Sequence, residues 1–299
     1  MKLPARLALL GLAVAIPVIQ SRIDARLGVF RAQEESIYLW SGTHVRQLVP
    51  GFEDLTADLY WLRTVQYFGG HRRQAQGKRF ELLHPLVDIA TTLDPRFEMA
   101  YSYGAIFLAE PWPMGAGEPE KAAALLDRGA KATGSWRLKQ LEGYQAFLFL
   151  CDPSQAAAIL TEASEMPGAA FWLKMYAAEM RRKGGERDMA RILWRQMLED
   201  AKRGNAAADV IRSNAESNLR RLDAYDSMDL IDRAIRVFQE RVGRAPVSLA
   251  ELQGTVGRLP TNDPSGAPFE YDAEKGRVSL SQTSALWRPD AENSLCKKR

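Results

Sequence analysis

The sequence predicts an all-α protein: a solenoid of antiparallel helix pairs with a membrane helix at its N-terminus and a small β-hairpin near its C-terminus. Three observations lead to this fold class. Ala122, Ala156 and Ala190 lie at equal intervals in three segments of similar pattern. The first twenty residues are mostly apolar, and the stretch after Pro268 alternates between apolar and polar residues, which is typical of a hairpin.

Composition excludes several classes of protein. The chain has 299 residues, of which 46% are hydrophobic and 26% charged, as in a globular protein. A net charge of +3 does not favour nucleic-acid binding. Two distant cysteines and three scattered histidines indicate neither a disulfide framework nor a metal site. Because no P-loop, GxGxxG, HExxH or GxSxG motif is present, we expect no enzymatic activity and no cofactor.

The N-terminus begins with Lys2 and Arg6, followed by thirteen uncharged, mostly apolar residues from Leu7 to Ile19. We interpret residues 3–19 as an uncleaved signal anchor, because no small-x-small cleavage site follows. A cleaved signal peptide and an amphipathic helix are the alternatives. Since arginines flank both ends of the span, charge does not decide its orientation. The expected location is the bacterial inner membrane, single-pass, with the soluble part in the periplasm.

The segment from Phe52 to Phe68 carries an apolar stripe at helical spacing. It predicts a helix that is apolar on nearly all sides and is buried against the first repeat. A basic cluster follows it, formed by Arg72, Arg73, Lys78 and Arg79. This cluster is interpreted either as a solvated loop or as a contact for lipid headgroups or an acidic partner.

The three alanines belong to three predicted helices. Four residues before each alanine stands an acid, Glu118, Asp152 or Glu186, as is favourable in the first turn of a helix. Each alanine is followed by bulky apolar residues, and the position seven residues later lies on the same helix face. That position is small in the first two segments, so a neighbouring helix can approach closely.

A second set of helices precedes these three. Their middle positions are small, at Gly104, Gly143 and Ala177, and the interval between the last two equals the interval between the alanines. The longer first interval is explained by an insertion around the turn-forming sequence PWPMGAG. The chain therefore predicts helix pairs in which small residues mark the packing contacts.

A helix pair that recurs about every 34 residues, with small residues on both helices, resembles the tetratricopeptide repeat (TPR). The resemblance extends from about Phe80 to Arg203, with Asp94–Pro95 in the place of the family's closing proline. Gly134 and Met197 depart from the family pattern, and an irregular helical bundle is the alternative. The resemblance implies a groove, lined by the first helix of each pair, that binds a peptide or a partner protein. Its candidate residues are Glu98, Tyr101, Arg137, Gln140, Tyr144, Lys174 and Arg181. The alternatives are a solvated helix face for any of them and, for the two tyrosines, the core.

The C-terminal part predicts an amphipathic helix around Ile231 to Phe238 and a hairpin formed by FEYD and RVSLS. A stretch of about twenty residues before and within the hairpin resembles the tail of type II secretion pseudopilins. Pilus assembly is not implied, because the N-terminal processing motif of that family is missing. Asp263 could ligate calcium, but ordinary turn chemistry explains it better, and we predict no metal site.

These features divide the chain into five predicted regions: a signal anchor with its extension at 1–31, N-terminal capping helices at 32–79, repeats at 80–222, a C-terminal helix and hairpin at 223–285, and a disordered tail at 286–299. The expected function is that of a membrane-anchored scaffold for protein–protein interaction in a bacterial envelope complex. The alternative is an accessory structural subunit of a larger integral-membrane assembly. Its partners would be other proteins and the membrane, not nucleic acid.

Overall fold

The computed structural model describes residues 39–74, 79–204 and 207–288, together with Val18, Arg22 and Cys296. Within these residues it contains eleven α-helices and one two-stranded antiparallel sheet. The helices are α1 Gly42–Leu48, α2 Glu53–Gln74, α3 Leu83–Leu93, α4 Glu98–Ala109, α5 Pro119–Thr133, α6 Trp136–Leu148, α7 Pro153–Glu165, α8 Leu173–Lys183, α9 Arg187–Lys202, α10 Ala208–Val242 and α11 Leu249–Val256. The strands are β1 Phe269–Asp272 and β2 Arg277–Leu280. The predicted helical character and the hairpin are thus confirmed.

Helices α2 to α9 each pack against the next helix along the chain. Helices α5, α7 and α9 begin at Pro119, Pro153 and Arg187, so their starts keep the equal intervals seen in the sequence. Proline suits the first position of a helix, because its missing N–H would have no partner there. In α7 the Asp152 side chain also accepts a hydrogen bond of 2.8 Å from the Gln155 amide.

Small residues bring the helices together, as the spacing predicts. Ala122, Ala156 and Ala190 are completely buried. A Cβ added to Gly104 would lie 2.7 Å from Val87 Cγ1, and one added to Gly143 would lie 2.7 Å from Leu160 Cγ. Gly104 of α4 and Gly143 of α6 therefore allow their helices to pack closely against α3 and α7. We use "first helices" for α2, α4, α6 and α8, and "second helices" for α3, α5, α7 and α9.

The prediction for α2 is wrong in one respect, since only one side of this helix is buried. Ala57 and Thr64 have no exposed surface, and Phe68 stacks on Phe107 of α4 with ring centroids 3.9 Å apart. The other side carries exposed apolar residues: Phe52, Leu55, Leu59, Leu62 and Val65. To be fully buried, α2 would need neighbours on both of these sides, and the described residues cover only one of them.

The C-terminal module comprises α10, α11 and the hairpin. Ile231, Ile235 and Phe238 of α10 pack with Phe269 of β1 and Val278 of β2. In the hairpin Phe269 pairs with Leu280 and Asp272 with Arg277. The alternation of the sequence places the apolar side chains of both strands on the face that covers α10.

Two expectations about the C-terminal end are wrong. Leu286, placed in the disordered tail, is buried against the hairpin core. Cys151 and Cys296, expected to be unrelated, form a disulfide across 145 residues of sequence. The sequence did not indicate this pairing, because the two cysteines are far apart in the chain. The turn after α6 meets the C-terminal end only in the folded protein.

In the part of the chain that the structure describes, no helix is long and apolar enough to span a membrane. Apart from Val18, the predicted anchor at residues 3–19 lies outside the described residues.

Candidate interaction surface

First helices α6 and α8 carry a connected group of aromatic side chains. Trp136 and Trp172 meet edge to face with ring centroids 6.1 Å apart, and Trp172 meets Tyr176 at 5.6 Å. Tyr176 in turn meets Tyr144 at 5.8 Å. These separations and tilted orientations are those that aromatic pairs prefer. We call these four residues, together with the neighbouring Phe171, the aromatic ridge.

The aromatic ridge is fixed on its inner side and open on its outer side. Trp136, Tyr144 and Trp172 pack against the buried core of α6, α7 and α8. Tyr176 is 46% exposed and Phe171 is 49% exposed. Burial, together with the neighbouring Tyr176, raises the pKa of Tyr144, while a hydrogen bond with Gln140 opposes this change. Tyr144 therefore stays neutral at physiological pH and able to donate a hydrogen bond.

Cations border the ridge. The Arg137 guanidinium lies 4.6 Å from the centre of the Trp136 ring, within the range of a cation–π contact. At the other end of α6 and α8, Lys183 Nζ lies 5.6 Å from the centre of the Phe147 ring. Arg137 is exposed and Lys174 is partly exposed. The surface thus combines flat apolar rings with positive charge.

The candidate groove residues from the sequence fall into two groups. Arg137, Gln140 and Tyr144 lie on α6 and Lys174 on α8, which are the helices that carry the ridge. Glu98 is exposed at the start of α4 and accepts a hydrogen bond of 3.1 Å from the Ser135 hydroxyl. Arg181 is engaged in an ion pair of 2.5 Å with Glu186.

Tyr101 must be removed from the predicted groove. Its side chain is 1% exposed, and its hydroxyl donates a hydrogen bond to the Thr91 carbonyl at 3.2 Å. The ring occupies the space that Gly129 leaves by lacking a Cβ, since an added Cβ would lie 2.5 Å from Tyr101 Cγ. Tyr101 is therefore a core residue that locks α4 onto α5.

The structure describes three of the four residues of the predicted anionic contact. Arg72, Arg73 and Arg79 are exposed, whereas Lys78 lies outside the described residues. Arg72 also lies 5.8 Å from the centre of the Phe68 ring at the end of α2. The cluster is accessible to solvent, and the structure adds no anion-binding geometry to its described members.

Sequence reasoning missed the tryptophans and Phe171. Trp136 and Trp172 stand at similar places, the beginning of α6 and the residue before α8. The interval between them is slightly longer than the interval between the small residues. Aromatic residues at the start of successive first helices were the available signal.

A separate ionic cluster joins second helices α5 and α7 to α6. Lys139 Nζ lies 3.0 Å from Asp127, 3.1 Å from Glu142 and 3.2 Å from Glu162. Burial alone would lower the pKa of Lys139, but hydrogen bonds to Asp127 and Glu142 raise it well above its usual range. Burial raises the pKa of Glu142, against the effect of Lys139. We interpret the cluster as a structural connection between three helices.

No group of three or more potential metal ligands occurs among the described residues. Asp263, the calcium candidate, uses both carboxylate oxygens within its own module. Oδ1 accepts from the Ser265 amide at 2.7 Å, the Ser265 hydroxyl and the Ala267 amide, and Oδ2 accepts from the Ser284 hydroxyl. Burial alone would raise the pKa of Asp263, but these hydrogen bonds lower it below its usual range.

Comparisons with known proteins do not assign this chain to a family. No family model, curated protein or solved structure matches this chain.

Proposed function

We propose that this chain is a membrane-anchored, TPR-like scaffold of a bacterial envelope complex, and that the aromatic ridge binds an extended segment of a partner protein. The observation that carries the proposal is that Tyr176, which is 46% exposed, packs on the core-bound ring of Trp172, and that Phe171 directly before Trp172 is 49% exposed. Rigid aromatic residues offer a large contact area at a low cost in conformational entropy, and they are enriched among residues that dominate binding energy.

The chemistry of the ridge indicates the kind of segment. Tilted rings suit proline or aromatic side chains of an extended peptide, because such peptides dock on aromatic-lined surfaces. The exposed Arg137 beside the Trp136 ring favours an acidic residue next to it. The expected ligand is therefore an extended peptide with apolar and acidic residues.

Two further features support this proposal. Helix α10 reaches the edge of the ridge, where Arg221 pairs with Glu179 of α8 at 3.1 Å. Tyr176 nevertheless stays 46% exposed, so a partner can still contact its ring. The disulfide between Cys151 and Cys296 favours an oxidising compartment such as the periplasm for the repeats. The alternative is an accessory subunit docked through its N-terminal helix.

A crosslinking pull-down from native membranes tests the proposal with the full-length chain. The test variant carries Tyr176→Ala and Phe171→Ala. The matched control carries Ile192→Ala and Met189→Ala, two exposed apolar residues of second helix α9. We expect the test variant to recover about thirtyfold less of the partner, because each of the two lost anchors costs on the order of 1 kcal/mol, while the control recovers as much as the wild type.

Equal recovery by both variants would reject the aromatic ridge as the binding surface. If the recovered proteins were then integral-membrane subunits, lost only on removal of residues 1–31, the structural-subunit alternative would be correct.

A further inference from the structure

The exposed side of α2 is an apolar surface without a neighbour among the described residues. Its five large apolar residues, Phe52, Leu55, Leu59, Leu62 and Val65, are between 43% and 64% exposed. They recur at spacings of three and four, so they form one continuous stripe. Isolated exposed leucines are ordinary, but a continuous stripe of this length indicates a surface that is covered in the functional protein.

Acidic residues border this stripe on one side. Asp54 directly precedes Leu55, and Asp58 directly precedes Leu59. Both aspartates are exposed, and no ion pair reaches either of them within the described part of the chain. An acidic border disfavours the headgroups of an anionic bilayer and favours a partner with positive charges at the same spacing.

The chain itself contains such a segment. Residues 22–30 place Arg22 directly before Ile23 and Arg26 directly before Leu27. Their apolar residues Ile23, Leu27 and Phe30 have the same spacing as Leu55, Leu59 and Leu62, four residues and then three. The described residue of this segment, Arg22, is helical and exposed. Segment and stripe therefore share one apolar spacing, and they differ in the sign of the charge that directly precedes the first two apolar residues of the segment and their counterparts Leu55 and Leu59. Asp24 and Arg63 lie on the opposite side of their helix patterns.

The order of the residues determines the direction of packing. In both patterns the charged residue precedes its apolar neighbour, so in both helices the charges lie on the same side of the stripe. When two helices pack with their apolar stripes facing each other, the charged side of one meets the charged side of the other only if the helices run antiparallel. In that register Arg22 faces Asp58 and Arg26 faces Asp54, while Ile23 lies beside Leu59 and Phe30 beside Phe52.

We propose that residues 22–30 of the same chain form a helix that packs antiparallel on the exposed stripe of α2. The connection from residue 31 to 52 contains α1 and is long enough for the chain to reverse direction. This helix would hold the membrane segment against the first helix pair. The repeats would then have a defined position relative to the bilayer.

A photocrosslinking experiment on the full-length chain in native membranes tests this proposal. The photoreactive residue p-benzoylphenylalanine replaces Leu59, and a control replaces Ile192, which is similarly exposed on α9. We expect a crosslink from position 59 to residues 23–31 at the mass of a single chain, identified by mass spectrometry, and no such crosslink from position 192.

Charge reversal provides the second readout. Asp54→Arg with Asp58→Arg is expected to reduce the crosslink at least tenfold, and adding Arg22→Glu with Arg26→Glu is expected to restore it. Restoration excludes loss of folding as the cause of the first effect.

Four results would overturn the proposal. A crosslinked product of twice the chain mass would assign the stripe to a second copy. Adducts with lipid alone would assign it to the bilayer, and adducts with another protein would assign it to a partner. Absence of any adduct from position 59 would leave the stripe without an occupant and reject the docked helix.

Discussion

The repeated helices and the C-terminal module are stabilised by contacts of different kinds. Between α4 and α9, small residues at regular positions let helices approach, and Gly104, Gly143 and Ala156 each meet a large side chain or a neighbouring helix. In the C-terminal module a single buried carboxylate, Asp263, organises the loop that leads into the hairpin. Regular packing distributes stability over many equivalent contacts, whereas the loop that leads into the hairpin depends on the carboxylate of one residue.

The ionic cluster around Lys139 is the exception within the repeats, and the largest effect is expected there. Lys139→Met removes the cation and leaves the carboxylates of Asp127, Glu142 and Glu162 close together. Lys139 is 7% exposed, so the cost approaches that of breaking a buried ion pair, and we expect a loss of about 3 kcal/mol in the free energy of unfolding. Denaturant unfolding at pH 7 measures this change.

The control for this prediction is Lys131→Met, which removes an exposed lysine that also pairs with Asp127 at 2.6 Å. A surface ion pair contributes little, so its loss is expected to cost less than about 1 kcal/mol. Because the pKa of Glu142 is raised, protonation of Glu142 stabilises the folded state as the pH falls. The Lys139 variant should therefore recover part of its stability below pH 7, and an unchanged deficit at acid pH would contradict the electrostatic explanation.

Asp263→Asn is expected to have the next largest effect, confined to the C-terminal module. The carboxylate is buried and accepts hydrogen bonds from Ser265, Ala267 and Ser284. Replacing an ionised acceptor by an amide should cost about 2 kcal/mol. Hydrogen exchange of residues 269–280 should become faster, while exchange of α5 and α7 stays unchanged.

The pH dependence of the wild type follows from the same carboxylate. Since folding lowers the pKa of Asp263, its contribution is complete above the unfolded value of about 3.9 and is lost as the pH falls through the lower folded value. Asp272→Asn is the matched control, because Asp272 makes similar turn bonds in an exposed position. Equal loss of protection in both variants would show that burial of Asp263 is unimportant.

The sequence allowed the repeats to be predicted and concealed the contacts that depend on distant parts of the chain. The spacing of Ala122, Ala156 and Ala190 predicted helices that begin at equal intervals, because equivalent packing requires equivalent positions. For Tyr101 the sequence left the groove and the core as alternatives, because the choice depends on the missing Cβ of Gly129 on the next helix. The pairing of Cys151 with Cys296 likewise depends on where the chain returns.

The aromatic ridge shows the same limit. Tyr144 was a candidate from its place on a first helix, but its contact with Tyr176 arises from the packing of α6 beside α8. Periodicity predicts which residues share a helix face, whereas ring contacts between helices follow from the angle at which those helices pack. The tryptophans of the ridge were therefore identified only in three dimensions.

Gly129→Ala is expected to have the smallest effect and most directly tests regular packing. The added Cβ would lie 2.5 Å from Tyr101 Cγ and 3.0 Å from Leu138 Cδ1, so the buried ring must move. Overpacking costs about 1–3 kcal/mol, of which up to about 1 kcal/mol is regained because alanine favours the helix more than glycine.

Thermal unfolding of two variants separates these two terms. Gly70→Ala introduces the same side chain into α2, where nothing lies within 4 Å of the new Cβ. We expect Gly70→Ala to raise the melting temperature and Gly129→Ala to lower it, because only the second variant displaces a neighbour. If both variants were stabilised, close approach at Gly129 would not be a requirement of the fold. The repeats would then not depend on close packing at regular positions, and their contrast with the hairpin loop, which depends on the Asp263 carboxylate, would no longer hold.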